Sequence, residues 1–346
     1  MQAAIFNGPG DIGIATVPDP QIVEPTDAIV RVVLACVCGS DLWYYRGQSP
    51  HEVGDLIGHE FIGVIEQTGA DVRTGAEGDF VVAPFAYSCG VCPNCDAGFQ
   101  TACLVGGFFG GNGLGGQAEK VRVPLADGTL VKVPGAGHSD ETLRSLLTLS
   151  DVMGTGHHAI VCAGMKPGDT VAVVGDGAVG LCAVLAARRL GAGRIIALSR
   201  NPARQALARD FGATDIVAER GDRAVQAVLD MTSGIGTDAT AECVGTSESL
   251  TTALDITRAG SMVGAVGVPH NDVPISHIFP KNWGVKGGGA PVRAYMPALM
   301  DDILAGYINP GRVFDFETDL AGVGEAYAAM DQRRAIKSLL RIGATA

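Results

Sequence analysis

The sequence predicts an α/β protein of two domains, a small barrel-like β domain followed by a doubly wound parallel sheet. Three observations carry this expectation. The first 135 residues break into short β-rich segments punctuated by Gly, Pro and Asp. From Gly168 onward, short apolar runs alternate strictly with helical patterns. The length of 346 residues also exceeds what one hydrophobic core usually supports.

In the first part, AAIF, AIVRVVLACV, FIGVIEQ, DFVVAP, EKVRV and LVKV read as strands. They are rich in β-branched residues and evenly spaced, as in a small barrel. In the second part, TVAVVG, RIIALS, DIV, ATAECV, SMVGAVG and WGVKGGG read as six strands. Helical patterns separate them: one running to Gly191, one from Pro202 to Phe211, one near residues 222–232 and one after Ser247. Strands joined by crossover helices build a parallel sheet covered on both faces. The remainder, a helical PALMDDILAGY and a strand-like KSLLRIG, is too short for a domain and is expected to fold back onto the first. The expected division is residues 1–152 with 291–346, and residues 153–290.

Composition and charge narrow the function. A formal net charge of −12 without any Lys/Arg run would repel a phosphate backbone, so no nucleic-acid partner is expected. The segment MQAAIFNGPGDIGIATVPDP lacks a basic stretch followed by an apolar run, and no stretch has the length of a membrane span. A cytoplasmic protein with no membrane partner is the expectation. In that reducing compartment, cysteines point to metal binding or catalysis more than to disulfides. Four of the nine cysteines, Cys89, Cys92, Cys95 and Cys103, crowd into CGVCPNCDAGFQTAC. Their spacing alone leaves a metal site, disulfides and a redox switch open.

VAVVGDGAVG places Gly175, Gly177 and Gly180 in a G-x-G-x-x-G pattern between a predicted strand and a helix. There the backbone N–H groups and the helix N-terminus can receive a pyrophosphate, the mark of a Rossmann dinucleotide site. The next strand ends in RIIALSRNPAR, with Ser199, Arg200 and Arg204 and no acid. A carboxylate at that end would hold a ribose 2′-hydroxyl, whereas a hydroxyl and a guanidinium suit a 2′-phosphate. NADP(H) is therefore expected over NAD(H).

Three further fragments, CVCGSDLW, LIGHEFIG and LSDVMGTGHHA, contain Cys38, His59 and Asp151. Thiolate, imidazole and carboxylate are good Zn²⁺ ligands, and three protein ligands leave a fourth position for substrate. Together, and over nearly its whole length, the chain resembles the medium-chain zinc-dependent alcohol dehydrogenases. The resemblance implies a GroES-like β-barrel catalytic domain joined to a Rossmann domain. It implies two zinc ions, a catalytic one on Cys38, His59 and Asp151 and a structural one on Cys89, Cys92, Cys95 and Cys103. It further implies that Ser40 carries the substrate proton away, that Asp41 orients the His59 imidazole and that Glu60 approaches the metal transiently. Thr155, Gly245, Val268 and Lys337 match cofactor contacts, and a homotetramer or homodimer is implied.

Trp43 stands where many relatives carry a histidine that extends the proton relay. An indole cannot shuttle a proton at neutral pH, so Trp43 is a candidate for shaping the substrate pocket. The relay then ends at Ser40 and the cofactor ribose, passes through water, or uses another group such as His51. The implied reaction exchanges a hydride between NADP(H) and a secondary alcohol or polyol, with a ketone or aldehyde in reverse. Two other readings stand beside it. A zinc-independent NADPH reductase of quinones or enones would have no use for the Cys38, His59 and Asp151 set. A non-catalytic NADPH-binding redox sensor would use the four-cysteine lobe as its switch.

Overall fold

The computed structural model describes residues 1–268 and 275–343. The chain divides into two compact units, Met1–Asp151 with Pro291–Ala346, and Val152–Ala290.

The hub of the first unit is the strand Ala28–Cys36. It pairs antiparallel with Phe61–Thr68, with Lys120–Val123 along its first half and with Lys337–Arg341 at its last residues. Phe61–Thr68 continues the sheet to Phe80–Ala83 and Val131–Lys132, while Lys337–Arg341 pairs parallel with Phe314–Asp319. The C-terminal strands thus pair into the same sheet as the hub. Eight of the nine hub residues are buried, because a central strand covered on both faces becomes a continuous apolar run. At the sheet edge, Phe314–Asp319 alternates between sheltered and exposed residues instead. The core gathers Val30, Val32, Phe61, Ile65 and Val81 from the strands and Tyr327 from the helix Val323–Asp331.

This pairing builds one end of the sheet into a site. Ala35 is opposite Phe61, so Cys38, just past the hub, and His59 with Glu60, just before Phe61, emerge side by side. Ser150 is tied to the same place: its hydroxyl donates to the Phe61 carbonyl at 3.2 Å and its carbonyl accepts from Phe85 N–H at 2.9 Å. Asp151 follows directly.

The second unit contains six parallel strands: β1 (Thr170–Val174), β2 (Arg194–Leu198), β3 (Asp215–Val217), β4 (Thr237–Glu242), β5 (Thr257–Ala265) and β6 (Gly284–Gly287). Their order across the sheet is β3-β2-β1-β4-β5-β6. The order reverses between β1 and β4, and a ligand of such a sheet binds beyond the carboxyl ends of the strands at that reversal. The helix Val152–Cys162, which the sequence reading leaves unassigned, is buried at ten of its eleven residues. It therefore has no polar face to betray a helical period. Among the described residues no helix is long and apolar enough to cross a membrane.

Candidate metal centres and nucleotide site

The first cluster is Cys38, His59, Glu60 and Asp151, whose donor atoms all lie within 4.8 Å of one another. Asp151 Oδ2 is 3.4 Å from Cys38 Sγ and 3.5 Å from His59 Nε2. Metal–ligand bonds of about 2.0–2.3 Å put the donors of a tetrahedral zinc site about 3.3–3.8 Å apart, so this set fits Zn²⁺. Asp41 grips two ligands with one carboxylate: Oδ2 accepts the Cys38 backbone N–H at 3.0 Å and Oδ1 lies 3.3 Å from His59 Nδ1. Fixing the proton on Nδ1 leaves the Nε2 lone pair for the metal.

Burial, reinforced by the charges of Asp151 and Glu60, pushes the Cys38 thiol up to about 11. Burial works against a charged His59, yet Asp41 and Cys38 hold its imidazole well above the ordinary histidine range. Both ligands must lose their protons to bind a metal, and a divalent cation supplies the positive charge that makes this favourable. Glu60 is fully buried and bonded to Lys337 Nζ at 2.7 Å, while its other oxygen accepts from Cys36 Sγ at 3.2 Å. Burial raises the Glu60 carboxyl, and Lys337 opposes that rise.

The second cluster is the lobe. Cys92 Sγ lies 3.5 Å from Cys95 Sγ and 3.9 Å from Cys103 Sγ, and Cys103 Sγ lies 3.5 Å from Cys89 Sγ. Zinc–sulfur bonds of about 2.3 Å make a tetrahedral edge of about 3.8 Å. A disulfide would instead need about 2.0 Å, and all four cysteines are free. Backbone N–H groups of Leu104 and Cys95 lower the Cys92 thiol to about 6, whereas burial and the hydrogen bond with Cys92 raise Cys95 to about 12. The lobe thus already favours thiolate at Cys92, the form a metal requires.

In the second unit, Gly175, Gly177 and Gly180 join β1 to the helix Ala178–Arg189. A Cβ on Gly180 would sit 2.0 Å from the Gly175 carbonyl oxygen, so only glycine lets the helix start so close to the strand. A Cβ on Gly177 would meet nothing within 4 Å. That open space ahead of a helix N-terminus suits a pyrophosphate. Ser199 and Arg204, by contrast, are already engaged by Asp176. Ser199 Oγ donates to Asp176 Oδ2 at 2.9 Å, and Arg204 Nη1 reaches the Asp176 carbonyl at 3.2 Å and Oδ1 at 3.4 Å. Arg200 is exposed.

Comparison with known proteins decides the family. Residues 24–135 match the alcohol dehydrogenase GroES-like domain and residues 178–303 match the zinc-binding dehydrogenase domain. Zinc-type alcohol dehydrogenase B of Aspergillus flavus is 32% identical over 99% of this chain and 82% of its own. This chain belongs to the medium-chain zinc-dependent alcohol dehydrogenases. Among solved structures, the alcohol dehydrogenase TADH from Thermus sp. ATN1 is 35% identical with a TM-score of 0.91, covering 99% of this chain and 100% of its own. The 2R,3R-butanediol dehydrogenase from Bacillus subtilis is 26% identical with a TM-score of 0.81, covering 98% and 99%.

Within this dehydrogenase, Ser40 and Trp43 are half-buried in the segment that follows Cys38. Thr155 is buried on the helix Val152–Cys162, and Val268 is 53% exposed beyond β5. Gly245 N–H donates to Glu242 Oε1 at 2.8 Å. His51 stacks on Tyr44 at 4.4 Å between ring centroids. Lys337 is expected as a cofactor contact. Its ammonium is fully buried, donating to Glu60 and, at 3.1 Å, to the Val37 carbonyl.

Two acids escaped the sequence reading. Asp176 sits inside the glycine pattern, where the intervening residues read as spacers. Glu242 ends β4 fully buried, and its Oε1 accepts from Val244 N–H, Gly245 N–H and Ser249 Oγ at 2.8, 2.8 and 2.7 Å. An acid just before a glycine-containing loop was the available signal for it.

Proposed function

We propose that this dehydrogenase interconverts a secondary alcohol or polyol with its ketone or aldehyde, using NADP(H) in preference to NAD(H). The observation that carries the reading is the convergence of Cys38, His59 and Asp151, with Asp41 holding two of the three ligands. When bound there, zinc supplies a Lewis acid for the substrate oxygen. Ser40 takes the hydroxyl proton and passes it outward, and the half-buried Trp43 forms part of the wall that selects the substrate. Glu60, anchored by Lys337, adds negative charge beside the ligands. The glycine loop, Thr155, Gly245 and Val268 bind the dinucleotide.

The similarity to a butanediol dehydrogenase supports a secondary hydroxyl in the substrate. The exposed Arg200 supports a 2′-phosphate on the cofactor. The lobe cysteines hold a structural zinc, and the assembly is a cytoplasmic homotetramer or homodimer. The test is absorbance at 340 nm with NADP and NAD in parallel, across short secondary alcohols, diols, polyols and the matching ketones. Faster turnover of a secondary alcohol with NADP is expected. Absence of turnover with either cofactor, in protein holding two zinc ions per chain, overturns the reading.

A further inference from the structure

Asp176 lies two residues past Val174, and Ser199 lies one residue past Leu198. Val174 and Leu198 are register partners on β1 and β2. The glycine loop therefore hands a carboxylate across to the end of β2, the place where a doubly wound nucleotide site reads the adenosine ribose. The carboxylate is fixed there by Ser199 Oγ at 2.9 Å and by Arg204 at 3.4 Å, with side-chain exposures of 14% for Asp176 and 9% for Arg204.

We infer that Asp176 is the ribose-reading acid of this enzyme, supplied by the glycine loop instead of β2, and that it sets how strictly one nicotinamide cofactor is preferred. The inference rests on the dinucleotide reading above. A carboxylate offers about four acceptor sites, so a ribose 2′-hydroxyl can join or replace Ser199 on it. A 2′-phosphate at the same place meets a like charge and finds Ser199 and Arg204 already engaged. Arg200, on the residue after Ser199, works in the opposite direction. The preference is the difference between these two effects, so Asp176 preserves NAD use and keeps the NADP preference narrow. Neutralising Asp176 removes the repulsion and releases a hydroxyl and a guanidinium for the phosphate.

The experiment measures Kd for NADP and NAD by calorimetry, and kcat and KM with each, for the zinc-loaded wild type, Asp176→Asn and Ser199→Ala. Asp176→Asn is expected to raise the NADP-to-NAD ratio of kcat/KM by about tenfold or more, through Kd and KM with kcat little changed. Ser199→Ala keeps the acid and opens the acceptor site that Ser199 occupied to a ribose 2′-hydroxyl, so the ratio falls. It also keeps the Asp176–Arg204 contact, which guards against a variant that fails to fold. A wild type that binds dinucleotide while neither variant moves the ratio overturns the role of Asp176 alone. A wild type that binds neither dinucleotide overturns the dinucleotide reading and this inference with it.

Discussion

Replacing Lys337 by Met tests the most deeply buried charge pair of the first unit. Lys337 Nζ and Glu60 Oε1 are 2.7 Å apart and both side chains are 0% exposed. Met keeps most of the volume and removes the charge. Glu60 then stays buried with the Cys36 thiol but without its cation, and the Val37 carbonyl loses a donor. Stranding one partner of a buried ion pair costs about 3–5 kcal/mol. Adding Glu60→Gln to Lys337→Met removes the stranded charge, so the double variant is expected to recover at least half of that loss. The chain has two tryptophans, Trp43 in the first unit and Trp283 in the second. In a Trp283→Phe background, fluorescence during urea unfolding follows the first unit through Trp43. The rival role, a direct cofactor contact, predicts a raised KM for cofactor with stability intact. A loss under about 1 kcal/mol, together with a roughly tenfold rise in that KM, would refute the anchoring argument.

Two further expectations follow from the other sites. Cys92→Ser removes the thiol most inclined to ionise, so it should lower the zinc content from two ions per chain toward one and lower the melting temperature; elemental analysis showing two retained ions would contradict a four-sulfur site. Asp215 is held at about 2, first by its hydrogen bonds to Arg194 and against burial. Its folded value lies below the unfolded one of about 3.9, so the stability it lends is complete above both and disappears as pH falls through 2. With side-chain exposures of 36% for Arg194 and 26% for Asp215, solvent screening limits the contribution to about 1 kcal/mol. Asp215→Asn should therefore be less stable than the wild type at pH 7, with the gap narrowing below pH 4, and a gap independent of pH would refute the assignment.

What the sequence could disclose depended on how local each feature is. Strands of the second unit were legible because apolar runs alternate with helical patterns, among them one with a clear polar side, Pro202–Phe211. The helix Val152–Cys162 was not, since burial on all sides erases the period that marks a helix. The same distinction governs the sites. The lobe thiols are close in sequence, and Cys38, His59 and Asp151 each sit in a short recognisable fragment. Their partners are long-range: Glu60 and Lys337 are separated by 277 positions, and no short pattern joins them. The sheet pairing that places Lys337–Arg341 beside the hub strand brings Lys337 to Glu60.

Asp176 shows why even a short separation can conceal a partner. It is 23 residues from Ser199, and searching the end of β2 for an acid finds none. The search is sound for a site in which β2 supplies its own carboxylate. Here the parallel register of β1 and β2 brings the loop after one strand against the end of the other, so an acid from either can occupy the same space. On the role inferred for Asp176, both strand ends set the selectivity: removing the Arg200 guanidinium should lower the NADP-to-NAD ratio, and adding Asp176→Asn to that change should bring the ratio back toward the wild-type value.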